Sequence, residues 1–316
     1  MRIHQLPVEV GRTATVGSFS GEQAPVLTVA DGDEVVTGTL GLWAGRVRRE
    51  HTLADILALR GQYAGGGPHT LTGPIAVDGA RVGDALRVEI IRVRPGAHGY
   101  NLATPAGVSR GVLADRFPAG FLRHFDIDAD RQVATSGALT IRTRPFPGFI
   151  AVAPQAPGPH GSVEPGPFGG NLDIAEMVAG TAIWLPVLRE GGLLYVGDGH
   201  AAQGNGELNG TAIECDLDVL HLRVSLARSA WLRMPRVTTA DEITTVGLGP
   251  TLEAAVQRAT GDMADWLTTL GMTAEDAYVL CSVAGRMSVS QVVNRVVGVH
   301  LSVSRGELPG QGAQWR

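Results

Sequence analysis

Cysteine is nearly absent: Cys215 and Cys281 are the only two in 316 residues. Each lies in an apolar run, so both read as small buried hydrophobes, not as a disulfide pair or a nucleophile. Charge is also scarce, at 18% of residues, and 26 basic against 31 acidic side chains leave a formal charge of -5. No basic run interleaved with aromatics is present, which excludes the electrostatic footprint of a nucleic-acid partner. No window approaches the ~18 uninterrupted apolar residues of a membrane span. The start, Met1 to Pro7, lacks the apolar centre of a secretory signal, so the expectation is a soluble, cytoplasmic protein without a membrane partner. Gly-x-Ser-x-Gly is missing as well. Ser18, Ser20 and Ser162 lie beside glycines but have no evident base nearby in sequence.

What is abundant is glycine, 43 residues, with 18 prolines. Together with the low charge this points to a turn-rich β protein whose surface is partly covered, as subunit contacts would cover it. From Ala24 to about Ile141, short apolar runs are cut by Gly, Asp and Pro turns. In Leu86 to Ile91, Leu86, Val88 and Ile90 alternate with Arg87, Glu89 and Ile91, the period of a half-buried strand. Strands at this spacing predict a sandwich or barrel. Arg46 to Leu59 interrupts the rhythm and is expected to be helical, followed by a glycine loop, Gly65-Gly66-Gly67-Pro68, that ends at His69. Pro154 to Gly170 reads as a linker or as cover for a site.

The C-terminal part has a different period. Leu252, Ala255, Val256, Ala259, Met263, Trp266, Leu267 and Leu270 recur at helical spacing, with Gly271 at the C-cap position. A second helix opens at Thr273, whose hydroxyl can cap and which an acid three residues on can answer. Val296 to Val303 alternates as a strand, with His300 on its polar face as a structural or exposed residue. The expected fold class is therefore mainly β with an α+β C-terminal part, divided into a body over 1–240 that carries the site and an α+β subdomain over 241–316.

The densest chemistry is Gly197-Asp198-Gly199-His200-Ala201-Ala202-Gln203-Gly204-Asn205-Gly206-Glu207. It follows two apolar runs, Ile183 to Leu188 and Leu193 to Val196, which predict a buried strand leading into it. In an extended chain Asp198 and His200 share one face, where they could hold a metal ion or a proton. Asn205-Gly206 and Asn209-Gly210 are tight-turn dipeptides, so a hairpin turning at Asn205-Gly206 is expected, with Glu207 returning beside Gly204. The competing reading is a solvated loop that satisfies its own backbone.

Hydrolysis of a small amide needs an activated water, stabilisation of the developing oxyanion and a proton for the leaving amine. A zinc-like ion with three protein ligands and one open position supplies the first two. Asp198, His200 and Asp173 are the proposed metal ligands. Glu207 is the proposed base, if burial raises its pKa, with His200 and His69 as further catalytic candidates and Asn171 and Gln203 as substrate-binding ones. Plain alternatives stand beside these. Asn171 and Asp173 could cap a helix over Ile174 to Met177, Glu207 could be an exposed turn residue, and His69 a loop histidine. His124, Asp126 and Asp128 alternate on one face and read as a solvated strand before a turn at Asp130-Arg131.

Gly169 to Asp173, Leu185-Pro186-Val187, Gly197 to Gly204, Glu207 and Gly210 to Glu214 resemble the acetamidase/formamidase family. Thr72-Gly73-Pro74-Ile75, Gly83-Asp84, Asp126 to Asp128, Pro147-Gly148, Ser282 to Gly285 and Gln291 to Val293 fall in that family's order, and the likeness spans about residues 24–303. Asp198, His200, Gln203, Glu207, Glu214, Asn171 and Asp173 match the motif positions. The resemblance implies a jelly-roll-like β-sandwich with a smaller α+β part and a homo-oligomer. It also implies a divalent metal, zinc first with calcium as the other choice, and hydrolysis of linear carbon–nitrogen bonds in short amides such as formamide or acetamide to acid and ammonia. Two departures are visible: Asn205 stands where aspartate is common, and Trp43 to His69 does not resemble the family's usual N-terminal part. They leave open a larger or cyclic amide as substrate, or a non-catalytic binding or assembly protein on the same fold.

Overall fold

The computed structural model describes residues 1–63, 65–108 and 111–308. Its body is a mostly antiparallel β network with few helices, and its centre is the strand Leu194–Ala202. That strand pairs with Phe146–Val152 on one side and Thr70–Val77 on the other, and its end meets Ile213–Ala227 with His200 opposite Glu214. Flanked in this way, eight of its nine residues are buried. Burial on both faces explains why the sequence here is a near-continuous run of small and apolar side chains and not an alternation. Ile213–Ala227 runs against Ala85–Ala103 from Glu214 opposite Tyr100 to Ala227 opposite Ala85, and it also pairs with Asp33–Thr39. The apolar sides of these strands make one core that includes Ile75, Leu86, Ile90, Ile150, Val196 and Leu222. Cys215 is buried in the same core, and neither cysteine is in a disulfide.

The α+β part is built from Glu242–Gly249, Val296–Ser304 and Arg286–Asn294, covered by the helices Leu252–Thr269 and Ala274–Val283. Thr251 and Thr273 cap the two helices by accepting the backbone N–H groups of Ala254 and Asp276. Ala255, Ala259, Met263, Trp266 and Leu267 face Ile243, Val299, Leu301 and Val303 in a separate apolar cluster. Gly247 allows the first helix to lie this close, because a Cβ there would collide with the Ala255 carbonyl and with Ala259. The short strand Arg236–Thr238 bridges Ala182–Pro186 to Glu242–Gly249, so the β network is continuous between the two parts. No helix among the described residues is long and apolar enough to cross a membrane.

Three local expectations need correction. The helix expected from Arg46 begins only at Leu53 and runs to Gln62, because Thr52 and Asp55 form a reciprocal capping box that starts it there. Before it, Trp43 and Ala44 take left-handed backbone, with φ of 52° and 63°. The turn expected at Asn205-Gly206 forms, with Glu207 N to Gly204 O at 3.1 Å, and the flanking strands pair antiparallel, but the hairpin closes over a ten-residue connection between Ala202 and Ile213 in which a second turn follows, Gly210 N to Glu207 O at 2.9 Å. Its middle docks on Arg286–Asn294 through Gly206 N to Ser290 O at 3.0 Å. Thirdly, no helix forms at Ile174 to Met177, so Asn171 and Asp173 cap nothing.

Candidate metal and active site

Four buried carboxylates and two buried imidazoles converge at the end of the central strand: Asp173, Asp198, Glu207 and Glu214 with His69 and His200. His200 Nε2 lies 3.4 Å from both Asp198 Oδ2 and Glu214 Oε2, and its Nδ1 lies 3.9 Å from Asp173 Oδ1. His69 Nε2 is 3.7 Å from Asp198 Oδ2. The ring of Phe146 meets His200 edge to face, with centroids 5.0 Å apart, and so limits its rotation.

Asp198 and His200 reach one centre by a route different from a regular strand. Asp198 is left-handed, with φ of 59°, as are Asp173 at 50° and Glu207 at 49°. Aspartate tolerates this conformation better than most residues, and such backbone outliers concentrate at functional sites. The floor under the side chains is Gly148, on Phe146–Val152. A Cβ there would lie 2.6 Å from Asp173 Oδ1, 2.6 Å from His200 Cε1 and 2.8 Å from Asp198 Oδ2. Three donor-bearing side chains thus surround a point that only glycine leaves empty.

Electrostatics follows from burial and crowding. Burial opposes charge on Asp198, but His69 and His200 outweigh it and hold this carboxyl below the usual range. Burial, helped by Asp198, pushes Asp173 up to about 8, and Asn294 and His200 only partly offset it. Burial raises Glu207 well above the carboxylate range, with Asp173 adding to it, and burial also raises Glu214. His200 is raised in spite of burial, because Glu214 and Asp198 outweigh that cost. Four carboxyls this close together cannot all ionise in a buried site unless a cation compensates them, and the raised values of Asp173, Glu207 and Glu214 express that cost.

The polar inventory agrees. Asp173 Oδ1, Asp198 Oδ1 and both ring nitrogens of His200 are buried without a hydrogen-bond partner. Asp173, Asp198 and His200 form one group with ligand atoms within 4.8 Å of one another, and His200, Glu207 and Glu214 form a second. Either group could hold a metal ion. Asn171 Oδ1 and Gln203 Oε1 are likewise buried and unpartnered. For Gln203 the orientation is fixed, since its Nε2 donates to the Asp173 carbonyl at 2.8 Å and to the Ser290 carbonyl at 3.4 Å, leaving the oxygen free to accept.

The remaining expected residues fall as follows. His69 is no loop histidine exposed to solvent: it is buried, and its Nδ1 meets Ser162 Oγ at 2.8 Å, so the Pro154 to Gly170 segment covers the site. Asn205 lies outside the cluster, exposed, and donates to Glu176 Oε1 at 3.0 Å. His124 stacks on His98, Asp126 pairs with Arg49 and Asp128 holds the turn at 130–131, all away from this centre. His300 is buried against Ser290 Oγ at 2.9 Å, a structural role. Sequence reasoning gave no part to Asn294, which donates to Asp173 Oδ2 and to Asn171 O, or to Ser162. Nothing local marks either residue, because both reach the site across more than 90 residues of chain. Glu214 was legible as a motif position but not as His200's cross-strand neighbour, which only register reveals.

The chain contains no lysine, so all 26 basic residues are arginine, and lysine-assisted nucleophiles and Schiff bases are excluded. Fold and site together define a β-sandwich protein with a buried carboxylate–imidazole centre suited to a divalent cation. The acetamidase/formamidase family model matches residues 18–158 and 158–303, and the chain belongs to that family. An acetamidase of Mycolicibacterium smegmatis is 27% identical over 200 residues, which span 45% of this chain and only 49% of that protein. The crystal structure of an acetamidase from Bacillus halodurans superposes with a TM-score of 0.85 at 29% identity, over 96% of this chain and 98% of that one. An acetamidase from Yersinia enterocolitica gives 0.87 at 26% identity, over 98% and 93%.

Proposed function

We propose that this protein is an amidase that hydrolyses short linear amides, formamide and acetamide among them, to the carboxylic acid and ammonia. The observation that carries the proposal is the convergence of Asp173, Asp198 and His200 on the Gly148 cradle, where Asp173 Oδ1, Asp198 Oδ1 and both ring nitrogens of His200 are buried without a hydrogen-bond partner. Asp173, Asp198 and His200 would hold a divalent ion. Zinc suits the mixed oxygen and nitrogen set, and calcium would suit its carboxylates. When bound, the ion supplies a polarised carbonyl and a water acidic enough to be deprotonated near neutral pH.

The chain's own groups do the rest. Glu207 takes a proton from the attacking water and returns it to nitrogen as the carbon–nitrogen bond breaks and a carbon–oxygen bond forms, so one amide and one water become one acid and one ammonia. Its place among His200 and Glu214 puts it within reach of the same centre. Gln203 Oε1 and Asn171 Oδ1 are acceptors without donors, matched to the two N–H bonds of a primary amide. His69, held at Nδ1 by Ser162, turns Nε2 toward Asp198 and steadies that carboxylate. Two openings approach the cluster. One cavity of about 370 Å³ reaches His69 and Asn294, and a broader one of about 1190 Å³ reaches Gln203 and Glu207 between aromatic walls.

The test is ammonia release from formamide and acetamide by the purified protein. Wild type should turn over at least one of them, and Asp198→Ala with His200→Ala should abolish it. Full activity in that double variant would end the proposal.

A further inference from the structure

The cavity that ends at His69 is walled by Leu42, Trp43, Tyr63, Leu102, Val163 and Val293. Leu42, Trp43 and Leu102 are buried and belong to one apolar cluster with the helix Leu53–Gln62, and Trp43 and Tyr63 bring to this wall part of the segment Trp43 to His69. At about 370 Å³ it exceeds what a minimal amide needs. Acetamide, even allowing each of its four heavy atoms the ~30 Å³ that a water occupies in the liquid, would take up roughly a third of it. The charged lining is one-sided. Arg60 and Arg295 line it and are exposed to solvent, and among the described residues no aspartate or glutamate lines the cavity, in a chain with 31 acidic residues. Neither arginine joins an ion pair among the described residues, whereas Arg49, Arg94, Arg223, Arg228 and Arg236 all do.

We infer that this cavity is the acyl-group pocket and that Arg60 and Arg295 select amides whose acyl chain ends in a carboxylate, the monoamides of dicarboxylic acids. The inference rests on the amidase reading for the direction of the substrate, amide end toward the buried cluster and carboxylate at the mouth. A methylene chain lies against Trp43 and Leu102, where its burial is favourable. The far carboxylate is kept away from the acidic cluster and meets guanidinium groups, whose paired N–H donors fit a carboxylate better than any neutral terminus. Because both arginines are exposed, their attraction is screened by salt.

The experiment compares two probes by calorimetry on the intact protein at low ionic strength: glutaramate, which carries the distal carboxylate, and valeramide, its neutral counterpart. Glutaramate should bind at least about tenfold more tightly, the preference should shrink severalfold at ~0.5 M salt, and Arg60→Gln with Arg295→Gln should reduce it to about twofold or less. Ammonia release from the same two amides should follow the same ratio. Equal affinities in wild type, no detectable glutaramate binding, or a preference that survives the double variant overturns the assignment. If the double variant folds poorly, the salt series on wild type decides the matter, and a preference unchanged at ~0.5 M salt overturns the assignment as well. Preferential glutaramate binding with no hydrolysis of any amide would instead sink the amidase reading and leave the anion-selective pocket standing. Hydrolysis of acetamide without that preference would do the reverse.

Discussion

Gly148 is the residue on which the site turns. It offers no functional group, yet its missing Cβ is what allows Asp173, Asp198 and His200 to face one another. Gly148→Ala would place a methyl within 2.6 Å of two of them, so it should lower bound metal at least tenfold by elemental analysis while the protein stays folded. Glu207→Gln keeps shape and removes proton transfer. It should cut kcat by roughly 10²- to 10⁴-fold, the usual worth of a positioned acid–base group, and leave metal content near that of wild type. At this scale the sequence was readable in its residue types and misleading in its geometry. The juxtaposition predicted for Asp198 and His200 holds, at 3.4 Å within one strand, but Asp198 reaches it through left-handed backbone and not by regular alternation. Asn294 was invisible, and Ser162 was visible only as a serine without a partner, because their contacts with Asp173 and His69 depend on tertiary register, which no local pattern carries.

Among the elements, the helices show what periodicity can and cannot specify. Leu252–Thr269 was legible because its apolar stripe is complete and Thr251 marks its start. The helix expected from Arg46 was misplaced because Val47 resembled the beginning of an apolar stripe, although it packs from outside the helix with Trp43 and Ile56. The connection 203–212 was legible in part: the turn at Asn205-Gly206 forms between antiparallel strands, but a second turn at Asn209-Gly210 lengthens the loop, which presents Glu207 and docks on Arg286–Asn294. Two stability predictions belong here. Thr251→Ala removes the hydroxyl that accepts the Ala254 N–H and should cost about 0.5–2 kcal/mol in urea unfolding. Trp266→Ala, in the fully packed centre of the C-terminal cluster, should cost about 3–5 kcal/mol.

Across the whole molecule, the loss of stability in acid should begin away from the site, because Asp173, with its raised pKa, binds a proton more readily folded than unfolded. His98 is half-buried and stacked on His124, and burial together with His124 and the nearby Arg49 and Arg48 pulls its pKa from 6.5 to about 4, against a smaller opposite effect of Asp126. The unfolded chain therefore takes up this proton before the folded one does. The His98 contribution to stability should decline as pH falls from about 6.5 toward 4, so His98→Gln should gain stability relative to wild type across that part of a urea-unfolding series. Glu176 acts at lower pH. Burial would raise its pKa, but His300 and Asn205 hold it at about 2, so its contribution is present above 4.5 and disappears as pH drops toward 2.

If the buried carboxylate–imidazole centre works by holding a divalent ion, activity must follow occupancy of that centre. Stripping the protein with a chelator and following ammonia release from acetamide, as zinc or in a parallel series calcium is titrated back, reads this directly. Release from the stripped protein should be negligible and should rise in proportion to ion bound, levelling off once the centre is filled. Full activity in the stripped protein, verified free of metal, would contradict a metal-dependent centre.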